Sequence, residues 1–458
     1  MSLCWRSSGA ARVVRIAFPS PSWRGARGEG RSGLRPTEAT AGDASAGCGP
    51  VETVHDAPHP RPLSERDASR ERGGPSRFAR SLLGLSLLCA TAAPALADDR
   101  MARALGAALF ERAWVPAPSS TRANDGLGPL YNARACVSCH RDLDRWPVAT
   151  DADGVVRDET LVLRLSDAAG RPDPAYGVQI QTAAVPGLAP DGRVRAGEGG
   201  FSPHALARGP LGQETRVGAR IAPALRGLGR LEAVPDDVLA ASADPDDRDG
   251  DGVSGRYVGR FGWKAQAPDL ATMTAIAFAI DLGMSTTRRP APEGDCPDAA
   301  CRAAPHGGDA ANPEITDEIV SLVAAYLAAI PPAPAPAPDP EGAALFAQVG
   351  CAACHTPALP SPDGPVAAFT NLLVHDLGPA LDGGATEPGV APSEWRTAPL
   401  WGLSRALANN AGLMHDGRAP DVAAAIALHG GEAARARAAF AALDRRAQAR
   451  LLAFVAGL

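Results

Sequence analysis

Two pentapeptides of one pattern, Cys136-Val137-Ser138-Cys139-His140 and Cys351-Ala352-Ala353-Cys354-His355, are the residues of this 458-residue chain best suited to do chemistry. On a helical turn, cysteines three residues apart share a face, so both thiols can add to the vinyl groups of one porphyrin. The histidine that follows sits under the ring and offers a nitrogen to the iron. Cys-x-x-Cys pairs alone would also suit zinc or a redox dithiol, but neither explains a histidine directly after both pairs. The pattern predicts two covalently attached haems of c type, bound through Cys136, Cys139 and His140 and through Cys351, Cys354 and His355.

The sixth position on each iron decides what such groups do, because two protein ligands make an electron carrier and an open face can bind a substrate. The second haem has a candidate in its own half. Pro420 begins a short helix on which Val422, Ile426 and His429 fall on one face, and Gly430-Gly431 ends it. A core or capping role for His429 is the alternative, and Met414, His415 and His375 compete with it. His415 lies in His415-Asp416-Gly417, which reads as a turn. After His140 the next histidine is His204, and no methionine follows Met101 before Met273. This tilts the first haem toward an open iron. Splitting the O–O bond of peroxide there needs a polar group to relay a proton. Gln181 and Asp191, ten residues apart around Pro186 and Pro190, are polar groups in an apolar stretch. On residue type alone they read as loop residues.

A separate motif, Asp247-Arg248-Asp249-Gly250-Asp251-Gly252, places carboxylates at alternate positions with glycine for a sharp turn, as in a calcium loop. Val258 stands where such a loop closes with Glu, so an acidic solvated turn is the equal alternative.

Composition sets the compartment and excludes some partners. Arg77 and Arg80 precede an apolar run from Leu82 to Ala93, then Ala95-Leu96-Ala97. This predicts a signal peptide over 77–97, cleaved near Ala97, and a periplasmic protein; the run is too short for a stable membrane span. Residues 1–76 are rich in Arg, Gly, Ser and Pro without helical or strand period. They read as a disordered extension, or as sequence ahead of a true start between Val51 and Arg77. Residues 1–80 hold thirteen arginines against eight acids, so the remainder falls from the net charge of −6 to about −11. That argues against nucleic acid and suits a basic redox partner. Of nine cysteines, Cys296 and Cys301 remain once the haem motifs and residues 1–97 are set aside. In an exported protein they are expected to form one small disulfide loop.

The elements that must position these groups form two unequal halves. The first, 98–330, opens with a helical pattern from Met101 through Phe110. It closes with Ile319, Leu322, Val323, Tyr326 and Leu327 on one helix face, with Thr316 as N-cap. Residues 331–340 form a proline–alanine linker. The second half, 341–458, starts on a helix capped by Asp339 and begun by Pro340. It ends on a helix from about Arg445 to Val455. The first half carries a long Gly- and Pro-rich insertion, roughly 145–300, whose best strands are Thr160–Leu165 and Val178–Gln181. The fold class predicted is mainly α: two cytochrome c-like haem domains, the first with a loop-rich insertion holding a few short strands.

Several segments carry a resemblance. Ala113–Ser120, Gly126–Arg134, Gly259–Ala265, Glu394–Trp401 and Leu413–Ala419, with both haem motifs, resemble the di-haem oxidoreductase family of peroxidase-like proteins over about residues 105–458. That family is related to bacterial di-haem cytochrome c peroxidases and to the di-haem enzyme that matures methylamine dehydrogenase. In the peroxidases a His-Asp-Gly motif is followed fourteen residues on by a methionine ligand; from His415 that offset lands on His429. The resemblance therefore implies a bis-histidine haem, His355–His429, of lower potential than a His–Met one. It also implies that Gln181 and Asp191 stand over the open haem, where the peroxidases have Gln and Glu. The tryptophan those enzymes carry shortly before the Gln has no match in residues 147–180; Trp263 is a substitute, while Trp395 and Trp401 read as core. The function implied is a periplasmic enzyme whose bis-His haem takes electrons from a cytochrome or cupredoxin and feeds an open haem that reduces peroxide. The alternatives are a plain electron-transfer cytochrome and a di-haem oxidase that modifies another molecule.

Overall fold

The computed structural model describes residues 99–458, apart from 292–294, 310, 335 and 338. The extension expected at 1–76 and the signal peptide at 77–97 lie outside the described residues.

The helices that place the two motifs are α1 (99–111), α2 (Cys136–Cys139), α3 (Leu270–Asp281), α4 (Asp317–Ala329), α5 (Pro340–Gln348), α6 (Val422–Leu428) and α7 (Arg445–Gly457). Four of the longer ones begin where the sequence supplies an acceptor for orphan amides. Asp269 accepts from Thr272 N at 2.6 Å, Thr316 from Ile319 N, Asp339 from Gly342 N at 3.0 Å, and Asp444 from Ala447 N at 2.8 Å. Asp317 and Glu318 in the first turn of α4 favour its positive end. Thr316, Asp339 and Pro340 thus act as the sequence predicts.

The first hydrophobic cluster joins α1, α3 and α4. Leu109 and Phe110, Leu270 and Phe278, and Val320, Val323 and Leu327 are all buried in it, each contributing about 1.5–3 kcal/mol. Gly106 lets α1 approach α4 closely, since a Cβ there would lie 2.1 Å from the Leu322 carbonyl oxygen. Leu359, Val366, Ala368 and Leu372 belong to this same cluster. A second cluster gathers α5, α6 and α7 through Phe346, Val422, Leu451 and Val455. Phe346, Phe369 and Phe454 meet edge to face within it, centroids 5.7 to 5.9 Å apart. Arg450 of α7 ties to the cap Asp339 at 3.1 Å.

The expectation of a mainly α chain is corrected by four two-stranded antiparallel sheets among the described residues. Leu130–Tyr131 pairs with Ala183–Ala184, and Arg193–Gly197 with Gly200–His204. Strand β1 (Leu161–Ser166) pairs with β2 (Arg216–Ile221), and β3 (Val374–Asp376) with β4 (Glu394–Arg396). Leu161, Leu163 and Leu165 alternate onto one face and meet Tyr176, Ile180 and Ile221 in a third cluster. The physical reason for the miss is separation: β1 finds its partner some fifty residues away. Arg216–Ile221 does alternate, with Val217, Ala219 and Ile221 on the face toward the third cluster, so its period-2 pattern was present and only its partner was not. Residues 178–181, expected as a strand, make a single bridge, Gln179 to Arg164. Cys296 and Cys301 are joined as a disulfide, as expected. No helix among the described residues is long and apolar enough to cross a membrane.

Candidate functional site

The first motif is fixed before its cysteines are reached. The amides of Asn132 and Ala133 donate to the carbonyl of Asp281, at the C-terminal end of α3, at 2.8 and 3.1 Å. Ala135 is extended, and α2 then turns Cys136 and Cys139 to one side, with His140 at its C-cap. His140 Nδ1 donates to the Pro223 carbonyl at 3.0 Å, which leaves Nε2 as the free nitrogen. Burial holds His140 below its ordinary pKa and pushes the Cys136 thiol up to about 12. A neutral imidazole with its tautomer set by a carbonyl is the form that ligates a metal.

Cys136, Cys139 and His140 open into a cavity of about 290 Å³. One wall is the face of α3 that carries Leu270, Met273, Thr274, Ala277, Phe278 and Asp281. Another comes from the C-terminal half, with Arg396, Trp401 and Leu413. Met273 is therefore brought to the first motif, while His204 is not: it pairs with Arg195 at 3.1 Å on a distant hairpin.

The second motif repeats the arrangement. Gly350, at φ 91°, turns the chain from α5 into Cys351–Ala353. His355 Nδ1 donates to the Phe369 carbonyl at 2.9 Å. His429 caps α6 and donates from Nδ1 to the Ala425 carbonyl at 2.7 Å. Both imidazoles are held neutral by burial, His355 down to about 4. The rivals to His429 are otherwise engaged. His375 uses both ring nitrogens, on Glu432 at 2.7 Å and Asn371 at 3.0 Å. His415 stacks on Trp395 at 3.8 Å, and burial next to Arg220 takes it down to about 2. Met414 packs against the second cluster.

Gln181 and Asp191 come together as the offset implies, both fully buried. The Gln181 amide donates to Asp191 Oδ2 at 2.8 Å, and Arg208 pairs with the other oxygen. Burial pushes the Asp191 carboxyl up to about 6 against that guanidinium. Neither residue lines the cavity at His140. Gln181 reaches instead to the Ile280 carbonyl at 2.9 Å, behind α3. The expected calcium ligands Asp247, Asp249 and Asp251 turn carboxylate oxygens toward one another within 4.8 Å. Trp263 and Trp401 line the first cavity, and Trp395 sits over Lys264 at 3.6 Å.

The sequence matches one family, described as di-haem oxidoreductase, putative peroxidase, over residues 77–186 and 256–458. The chain belongs to that family. No curated protein matches it. Among solved structures, a hydrazine synthase of Kuenenia stuttgartiensis pressurised with 20 bar xenon is similar at 13% identity and a TM-score of 0.32. It covers 77% of this chain and 86% of that one, and a likeness so slight carries no argument. The stretch 187–255, which holds Asp191 and the Asp247–Asp251 turn, falls outside the family match.

Membership in a di-haem family implies haem, and the residues fit it. In the wall of the first cavity the Arg145 Nε and the Thr274 hydroxyl are buried without hydrogen-bond partners, while Arg220 is paired with Glu387 at 3.2 Å. Burial pulls the guanidinium groups of Arg145 and Arg396 down to about 10. Buried, underpaired cations against an apolar wall suit a flat apolar ring that carries carboxylates. Sequence reasoning left out Asp281 and these arginines. The spacing of Met273, Thr274, Ala277 and Asp281 along one apolar helix was the signal available for the α3 wall.

Proposed function

We propose that this di-haem oxidoreductase carries two covalently attached c-type haems, one closed by two protein histidines and one open to a small oxidant. The observation that carries the reading is an asymmetry in pre-set imidazoles. The second site holds two neutral histidines, His355 and His429, each with Nδ1 on a backbone carbonyl and Nε2 free. The first cavity holds one such histidine, His140. When bound, the haems supply electron transfer from a small cytochrome or cupredoxin and reduction of peroxide. Cys136 and Cys139, and Cys351 and Cys354, fix each ring in place. Arg145 and Arg396 would offer charge to the carboxylates of the first ring, and Phe278 and Leu270 would keep bulk water from the first cavity. Gln181, Asp191 and Arg208 brace α3 from behind. Export to the periplasm, read from residues 77–97, agrees with covalent attachment and with a disulfide.

The spectrum of the loaded, oxidised protein tests this. One low-spin and one high-spin haem are expected, with added cyanide changing only the high-spin signal. Two low-spin haems indifferent to cyanide would overturn it.

Met273 favours a second reading, because its thioether lines the first cavity and a methionine there could close the iron. The chain would then be an electron carrier with both irons six-coordinate. Met273→Leu separates the two: the open-face reading expects an unchanged spectrum, the carrier reading a switch of one haem to high spin.

A further inference from the structure

We propose that Asp281, at the end of α3, is the group that takes the proton from a protic ligand entering the first cavity. This rests on the reading of that cavity as a haem site with an open face. Four carboxylates line the cavity. Asp144 is held by Arg226 and Arg405, and Glu387 by Arg220. Their negative charge is already answered, so neither is a ready proton acceptor. Asp281 has no arginine partner among the described residues. Asp281 lines the cavity; its Oδ1 accepts one hydrogen bond, from Gln179 Nε2 at 3.0 Å, and its Oδ2 has no side-chain partner among the described residues.

Gln179 is itself fully buried and bonded to Asn132, so it fixes the carboxylate in one orientation. The carbonyl of Asp281 receives the Asn132 and Ala133 amides just ahead of Cys136, which ties the acid to the motif rather than to a free helix end. Thr274, two turns earlier on the same helix, lines the cavity, and its hydroxyl is buried and unpartnered. The α3 wall thus brings a carboxylate to the cavity, which Gln181 and Asp191 do not line.

Hydrogen cyanide and hydrogen peroxide each give up one proton when taken up as an anion. In this step the H–C or H–O bond breaks, the proton moves to Asp281 Oδ2, and no electron changes hands. The same carboxyl can return the proton later to a leaving oxygen.

Cyanide association with the oxidised, haem-loaded protein provides the test, with carbon monoxide association with the reduced protein as reference, since that ligand loses no proton. Asp281→Asn is expected to slow cyanide about 100-fold and leave carbon monoxide unchanged. Glu159→Gln removes the other wall carboxylate without an arginine partner among the described residues, and slowing of cyanide there in place of Asp281→Asn would overturn the assignment. Glu198→Gln, an exposed carboxylate outside the cavity, is expected to change neither. Asp281→Ala adds a second readout, because formate should restore the cyanide rate if a carboxyl is what was lost. Equal slowing of both ligands, an unaffected cyanide rate, or no rescue by formate would overturn the role of Asp281 while the open face stands. Failure of the wild-type protein to bind cyanide would overturn the open face itself, and the proposal with it.

Discussion

His375 Nδ1 donates to Glu432 Oε2 at 2.7 Å, and the same carboxylate also receives the amides of Ser254 and Asp376, both at 2.9 Å. One side chain three residues after His429 therefore holds the insertion, β3 and the end of the second haem site together. Burial opposes the charged form of His375, but the partnered carboxylate of Glu432 helps to outweigh it, and the group rises from 6.5 to about 9. A raised folded pKa gives stability that is complete below about pH 6.5 and is lost as pH rises through about 9. Glu432, held low, withdraws its share as pH falls through the ordinary carboxyl range. Glu432→Gln should thus cost the haem-free protein about 3 kcal/mol near pH 6. The difference should shrink above pH 9, measured by urea unfolding across pH. A gap of constant size at every pH would count against the pair.

His429→Ala should turn the second haem from low to high spin and let cyanide bind at two sites instead of one. His429→Met should restore a low-spin haem of higher potential. Visible spectra and a redox titration of the three proteins decide it. No spectral difference from the wild type would remove His429 from the iron.

Arg145 is buried with its Nε unpartnered, and its one hydrogen bond runs to the Met414 carbonyl. A buried cation short of partners weighs on the haem-free chain and becomes useful when an anionic group arrives. Arg145→Leu should therefore raise the melting temperature of haem-free protein and lower that of loaded protein. Shifts of the same sign in both would show that Arg145 does not meet the bound group.

Calcium at Asp247, Asp249 and Asp251 is tested by chelation. An occupied site lends stability that grows with the logarithm of free calcium, so excess chelator should lower the melting temperature and Asp249→Asn should abolish the effect. An unchanged melting temperature identifies the turn as solvated acid. Arg435 donates to the Asp251 carbonyl at 2.9 Å, so any loosening should be felt near the second haem site.

Local chemistry was legible in the sequence and spatial company was not. Both Cys-x-x-Cys-His motifs, the caps at Thr316 and Asp339, and a single histidine closing α6 follow from spacing alone. His415 and His375 could not be set aside until Trp395 was found against one and Glu432 against the other. Gln181 and Asp191 kept their mutual offset and do meet, yet the wall facing Cys136 is α3, brought there by amides at Asn132 and Ala133. The pairing of β1 with β2 escaped because contacts between distant segments leave no local period.

The pocket around Cys136 borrows Arg396, Trp401 and Leu413 from the far end of the polypeptide. Synthesis runs from the amino terminus, so this chamber must wait with one side missing until nearly the whole chain exists. Severing the molecule between its halves would give a front fragment that keeps its anchoring thiols but loses its enclosure.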